Sequence, residues 1–204
     1  GNINLVKTGE GTQIFARVAA YTNLHGTITV NDGLFSIKGP LADVSGLTVT
    51  GANSELDLIG FTAAAPLLVN NDATLTLNAS AAGLTVDTAV FGPDGNLTLN
   101  VDFGALASGN PSYAAIDVLG FDGFDPSAVN IDVNVSGSGF AVGQFPLIQY
   151  LATSPLADID NFNLVGLPDG VVGTLVNNTG SQSIDFNITE AVRSLRWFGG
   201  PDWE

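Results

Sequence analysis

Carboxylates are the main chemical resource of this 204-residue chain, which holds 20 acidic residues against five basic ones. Nearly all the acids are Asp. Asp122 and Asp125 stand in a Gly-Phe-Asp-Gly-Phe-Asp-Pro stretch, and Asn70-Asn71-Asp72 forms a second oxygen-rich cluster. Turn carboxylates, side-chain amides and carbonyls suit a hard cation, so calcium is the ligand these turns would take, with Asp122 and Asp125 as the expected metal ligands. Neither cluster has the spacing of an EF-hand or of a Ca-binding β-roll, and the plain alternative is an Asx turn. No other cofactor is expected.

Acid pairs also raise hydrolytic chemistry. Glycosidases work with two carboxyls about 5–10 Å apart. Asp158 and Asp160, two apart, would meet that spacing on one face of a strand, while Asp57 and Asp87 would stack with other acids between neighbouring coils. A lyase acting on uronates needs a basic residue as well. The basic residues are Lys7, Arg17, Lys38, Arg193 and Arg196, all towards the ends of the sequence. His25 is the single histidine, so any Ser–His–Asp triad would have to use it. No Gly-x-Ser-x-Gly elbow is present, and Ser136-Gly137-Ser138-Gly139 reads as a flexible turn. The chain lacks Cys, which removes thiol nucleophiles and thiolate metal sites. The expectation is a chain that is not an enzyme, with no catalytic residue.

Bulk properties narrow the partners. The net charge is −15, so binding to nucleic acid is not expected, and an anionic membrane surface would repel the chain. No segment approaches the roughly 18 apolar residues of a membrane span. Hydrophobic residues make up 45% of the chain and charged residues 12%, about half the usual charged share. Asn, Thr, Ser and Gly must therefore supply most of the surface.

The elements are set by two series of apolar residues spaced two apart. One is Phe35/Ile37, Leu56/Leu58, Leu75/Leu77 and Leu97/Leu99; the other is Ile28/Val30, Leu47/Val49, Leu67/Val69 and Leu84/Val86. Within each series the pairs recur every 17 to 22 residues. Apolar/polar alternation is the strand period, and its recurrence at one interval signals stacked β-coils. Asn31-Asp32-Gly33, Gly51-Ala52-Asn53-Ser54, Asn70-Asn71-Asp72 and Pro93-Asp94-Gly95-Asn96 supply the turns between paired strands. The outward threonines Thr27/Thr29, Thr48/Thr50 and Thr74/Thr76, followed by Asn96/Thr98, would form a ladder on one face. Eleven positions separate Val86 from Leu97, which reads as an insertion.

Beyond residue 100 the interval loosens. Strand-like runs persist at 115–119, 130–135, 145–151, 162–165, 171–176 and 183–189. The expected fold class is all-β, a right-handed parallel β-helix with a variant C-terminal β module. Residues 1–100 are the β-helix coils, 101–190 a closing β module continuous with the first, and 191–204 a Trp-containing tail or the start of a further unit. Residues 190–196 are the best helical candidate. Trp197, Phe198 and Trp203 either cover the last coil or dock on another domain, and they are the expected partner-docking residues. The chain reads as a piece of something longer.

Residues 5–37 resemble the autotransporter-associated β-strand repeat of large bacterial surface proteins. The match is carried by Lys7-Thr8-Gly9-Glu10-Gly11-Thr12, Tyr21-Thr22 and Gly26-Thr27-Ile28-Thr29-Val30-Asn31-Asp32-Gly33. In the second half, Tyr113-Ala114-Ala115-Ile116-Asp117-Val118, Gly139-Phe140-Ala141-Val142-Gly143-Gln144-Phe145, Leu167-Pro168-Asp169-Gly170 and the Trp197 segment are similar to the module that follows such repeats. The resemblance implies a right-handed β-helix in an exported or surface-displayed protein, and it carries no catalytic residue over. The expected function is a non-catalytic structural or adhesive segment of a large exported bacterial surface protein, extracellular or on the outer cell surface. Its partners would be neighbouring domains of the same long chain and a surface glycan or protein. The second reading is a glycan-binding or glycan-cleaving β-helix.

Overall fold

The computed structural model describes residues 3–16, 25–39, 44–59, 65–107 and 109–192. Eighteen strands and no helix occur among them. The first eight come in pairs, the last three pairs joined by predicted Asn/Asp/Gly turns: β1 (Leu5–Lys7) and β2 (Thr12–Phe15), β3 (Thr27–Val30) and β4 (Gly33–Ile37), β5 (Gly46–Thr50) and β6 (Ser54–Ile59), β7 (Leu67–Asn70) and β8 (Thr74–Asn78). Then follow β9 (Leu84–Val86), β10 (Ala89–Phe91), β11 (Asn96–Ala105), β12 (Ile116–Phe121), β13 (Phe124–Asp125), β14 (Asn130–Ser138) and β15 (Gly143–Leu151). The last are β16 (Phe162–Gly166), β17 (Val171–Asn178) and β18 (Ser183–Ala191). All six strand-like runs expected beyond residue 100 are strands.

These strands form three sheets. One has the order β1-β3-β5-β7-β10-β13, and a second has β2-β4-β6-β8-β11-β14-β16; every pairing in both is parallel. Parallel neighbours need a long crossover. Here the crossover out of one sheet supplies the strand of the other. The third sheet, β9-β12-β15-β18-β17, starts parallel and ends antiparallel, with β18 turning back between β15 and β17.

Register follows the apolar pairs. In the first sheet Ile28, Leu47, Leu67 and Ala89 stand in one inward row, and Val30, Val49, Val69 and Phe91 in the next. In the second sheet Phe35, Leu56, Leu75, Leu99 and Val133 line up, beside Ile37, Leu58, Leu77, Val101 and Val135. All these side chains are buried, in one hydrophobic cluster that runs from Ile28 to Ile188. Burying apolar area contributes about 25 cal/mol per Å², and these rows are where that contribution is concentrated. In the C-terminal half Phe103, Phe140, Phe145 and Phe186 fill the interior, with ring centroids 5.5–6.4 Å apart, mostly edge to face.

Four expectations need correction. Leu84/Val86 does not continue the first sheet; it opens the third, pairing with Ile116/Val118. Its place is taken by Ala89/Phe91, a small–large pair that the Leu/Val pattern hides. The apparent insertion before Leu97 therefore contains β10. In β11 the residues level with Leu75/Leu77 are Leu99/Val101, not Leu97/Leu99. The helical candidate at 190–196 begins in strand, because Glu190 and Ala191 pair with Val172 and Val171; residues 193–196 lie outside the described residues.

Candidate functional surface

Hydrogen bonds place several of the sequence-predicted acids. Asp122 adopts a left-handed backbone, φ +55°, just after β12. Its Oδ1 accepts from the Thr153 amide at 2.6 Å and its Oδ2 from the Thr153 hydroxyl at 2.8 Å. Both bonds favour the charged carboxylate, so the Asp122 pKa is held below its ordinary value of 3.8 against a small opposing desolvation. Asp125 lies two residues into another sheet, in β13 opposite Val90, and is exposed. Asp122 spends both oxygens in pinning the loop after β15. The second oxygen-rich turn behaves likewise. Asn71 and Asp72, in the three-residue connection between β7 and β8, are both left-handed, φ +56° and +61°, a conformation that Asn and Asp tolerate. Asp72 Oδ1 accepts from the Asn96 amide at 2.6 Å, tying that turn to the next one along the stack. Among the described residues no three His, Asp or Glu side chains are grouped to hold a metal ion.

Asp158 and Asp160 are exposed in the loop between β15 and β16 rather than on one strand face, because the Phe162 amide turns back to the Ile159 carbonyl. Asp57 does not stack on other acids. It takes Lys38 Nζ and Ser36 Oγ, each at 2.6 Å, in a contact between β6 and the end of β4. Asp87 stands at the bend after β9, where its carbonyl accepts from the Gly120 amide. His25 is exposed just before β3, its carbonyl accepting from the Ile3 amide. Trp197, Phe198 and Trp203, the expected partner-docking residues, lie outside the described residues.

The threonine ladder is divided. Thr29 and Thr48 are level in the first sheet, where the next residue is Leu68, while Thr74 and Thr76 belong to the second and face Thr98 and Asn100. The outer face of the second sheet carries a different array, which the sequence reading missed. Glu55 accepts from Thr76, Thr76 from Asn100, and Asn100 from Asn134, at 2.7, 3.0 and 3.0 Å. Asn130 donates to Asn96 at 2.7 Å beside them. The intervals of 21 to 34 residues between partners vary too much for the ladder to show as a repeat.

Of several concave features among the described residues, one lies on the outer face of the third sheet. A hollow of about 410 Å³ opens over the in-register row Thr85–Asp117–Gln149. Tyr113 and Ser112 form its rim, with Ala82, Gly83 and Pro146 as apolar wall. The Tyr113 hydroxyl donates to the Ala79 carbonyl at 2.6 Å, which pins the ring, and partial burial raises its pKa above 10.0. Gly83 sits under the rim because a Cβ there would meet the Ala114 carbonyl at 1.9 Å.

Comparison of the chain with protein-family models, with curated proteins and with solved structures finds no match.

Proposed function

We propose that this chain is a right-handed parallel β-helix segment of a large exported bacterial surface protein, and that its role is structural and adhesive rather than catalytic. The supporting observation is the pairing of strands about one coil apart. Six strands of one sheet and seven of another add in parallel, alternating along the chain, over one continuous apolar interior. Such a stack transmits load along its length through backbone hydrogen bonds, and each coil depends on its neighbours alone. The resemblance of residues 5–37 to the autotransporter-associated repeat supports the surface assignment. The bonded acids support a non-catalytic role: Asp57, Asp72, Asp122 and Asp185 each hold neighbouring segments together. Neighbouring domains of the same chain are its natural partners, and extracellular or outer-surface display its location.

The stack is tested by duplicating residues 46–66, one coil, in tandem. The long dimension in small-angle X-ray scattering should grow by about 4.8 Å, the strand spacing, with cooperative unfolding retained. An unchanged dimension, or loss of the strand signal in circular dichroism, overturns the β-helix. Surface display is tested by antibody labelling of intact cells that make the parent protein. Labelling that requires permeabilised cells overturns it.

A further inference from the structure

We propose that the hollow over Thr85, Asp117 and Gln149 binds a neutral sugar. The inference deepens the adhesive part of the reading above and rests on it. Its first support is shape. Ligand sites are concave, about 300–1,000 Å³ in volume and mostly apolar, with a few placed polar groups. This hollow has that size and that mixture.

Its second support is the kind of polar group. Strand register sets a hydroxyl, a carboxylate and an amide side by side, at the spacing of adjacent strands. The Gln149 amide nitrogen is already used, bonded to the Ser181 and Gln182 carbonyls at 2.6 and 3.2 Å. What Gln149 offers outward is therefore its acceptor oxygen. The side chains of Thr85, Ser112 and Asp117 make no hydrogen bond among the described residues. The row is rich in acceptors and needs a ligand with several hydroxyl donors. A carboxylate accepting from two neighbouring hydroxyls is a charge-assisted contact, stronger than a neutral one.

The third support is the rim. Tyr113 is half-buried and its hydroxyl is committed to Ala79, so the exposed part of the ring is a fixed apolar surface. A pyranose presents hydroxyls at its edge and C–H groups on its face. The edge suits the Thr85–Asp117–Gln149 row, and the face suits Tyr113 with Pro146 and the small residues beside it. No basic side chain lines the hollow, and the chain carries −15, so acidic sugars are disfavoured.

Saturation-transfer NMR on the whole chain, with the methyl glycosides of glucose, galactose and mannose as probes, tests the proposal. At least one glycoside should receive saturation, and D-galacturonate should not. Asp117→Ala should weaken binding about tenfold or more, since a hydrogen bond to a charged group is removed. Thr85→Val, close in shape, keeps the test open if Asp117→Ala does not fold, and should also weaken binding. Thr48→Ala, on another sheet, should leave it unchanged. Transfer to none of the three glycosides, equal transfer to galacturonate, or binding unaltered in both Asp117→Ala and Thr85→Val overturns the proposal. Each of these can occur while the duplicated coil still lengthens the molecule, so failure of the sugar site and failure of the stack are distinguishable.

Discussion

At the residue scale, many polar side chains in this protein bond groups on a segment distant in sequence, as Asp122 does with Thr153. Asp122 shows the consequence for pH. Its folded pKa is depressed, so its bonds to Thr153 contribute in full above the unfolded value of 3.8 and fade as pH falls through the lower folded value. A carbon-detected NMR titration should place the Asp122 midpoint below 3.8, and Thr153→Val, which removes the hydroxyl donor, should move it upward. A midpoint unchanged by Thr153→Val would show that the hydroxyl bond has no part in the shift. Gly95 makes the same point through sterics. Its φ is +86°, and a Cβ would stand 2.5 Å from the Asp72 oxygen that holds the Asn96 amide. Gly95→Ala should therefore cost more than the roughly 1 kcal/mol usual for such backbone strain, measured as a fall in the urea midpoint. Lys7 stands level with Val30 at the first corner, where its ammonium bonds the carbonyls of Gly9 and Asp32. A charge at an interior register position is tolerated here because carbonyls surround it.

At the element scale, the end of the stack differs from its body because β18 reverses direction. Asp185 explains how the reversal is held. It is 4% exposed and accepts from Gln144 of β15, Asn178 of β17 and Ser183 of its own strand, at 2.7, 2.8 and 2.6 Å. Asp185→Ala would leave three donors without their acceptor inside the sheet, and should cost about 3 kcal/mol in chemical denaturation. Asp185→Asn, which keeps one acceptor oxygen, should cost less; equal losses would mean that packing rather than hydrogen bonding dominates there. Nothing in the 183–189 alternation pointed to this, since Asp185 reads as an ordinary polar position. The strands themselves were legible, because Thr74-Leu75-Thr76-Leu77 and its relatives carry a period of two that only a one-sided strand satisfies. Which sheet a strand joins was not. Leu84/Val86 has the composition of the first sheet, and only the return of the chain through Ala89/Phe91 moves it to the third. The hollow was hidden for the same reason, as Thr85, Asp117 and Gln149 lie 32 residues apart and converge only through that third sheet.

At the scale of the whole molecule, a stack of parallel strands has an inherent liability. Its terminal strands present unpaired amides and carbonyls, which invite another chain. Among the described residues β1 and β2 stand at the edges of their sheets, and Val6 and Ile14 on them are 59% and 51% exposed. Charge is the feature that opposes such pairing. A net −15 repels a second copy over a distance set by the ionic strength, about 10 Å at 0.1 M. Acid removes that protection, since net charge vanishes near pH 4.1. That is still above the range in which Asp122 loses its bonds to Thr153, so those bonds persist while repulsion is gone. Sedimentation velocity should show association increasing as pH falls from 7 towards 4.1, with the strand signal in circular dichroism preserved. Added salt at pH 7 should move the distribution in the same direction by screening. Association that requires prior loss of strand structure would place the cause in unfolding, and charge would then have no part in keeping the edges apart.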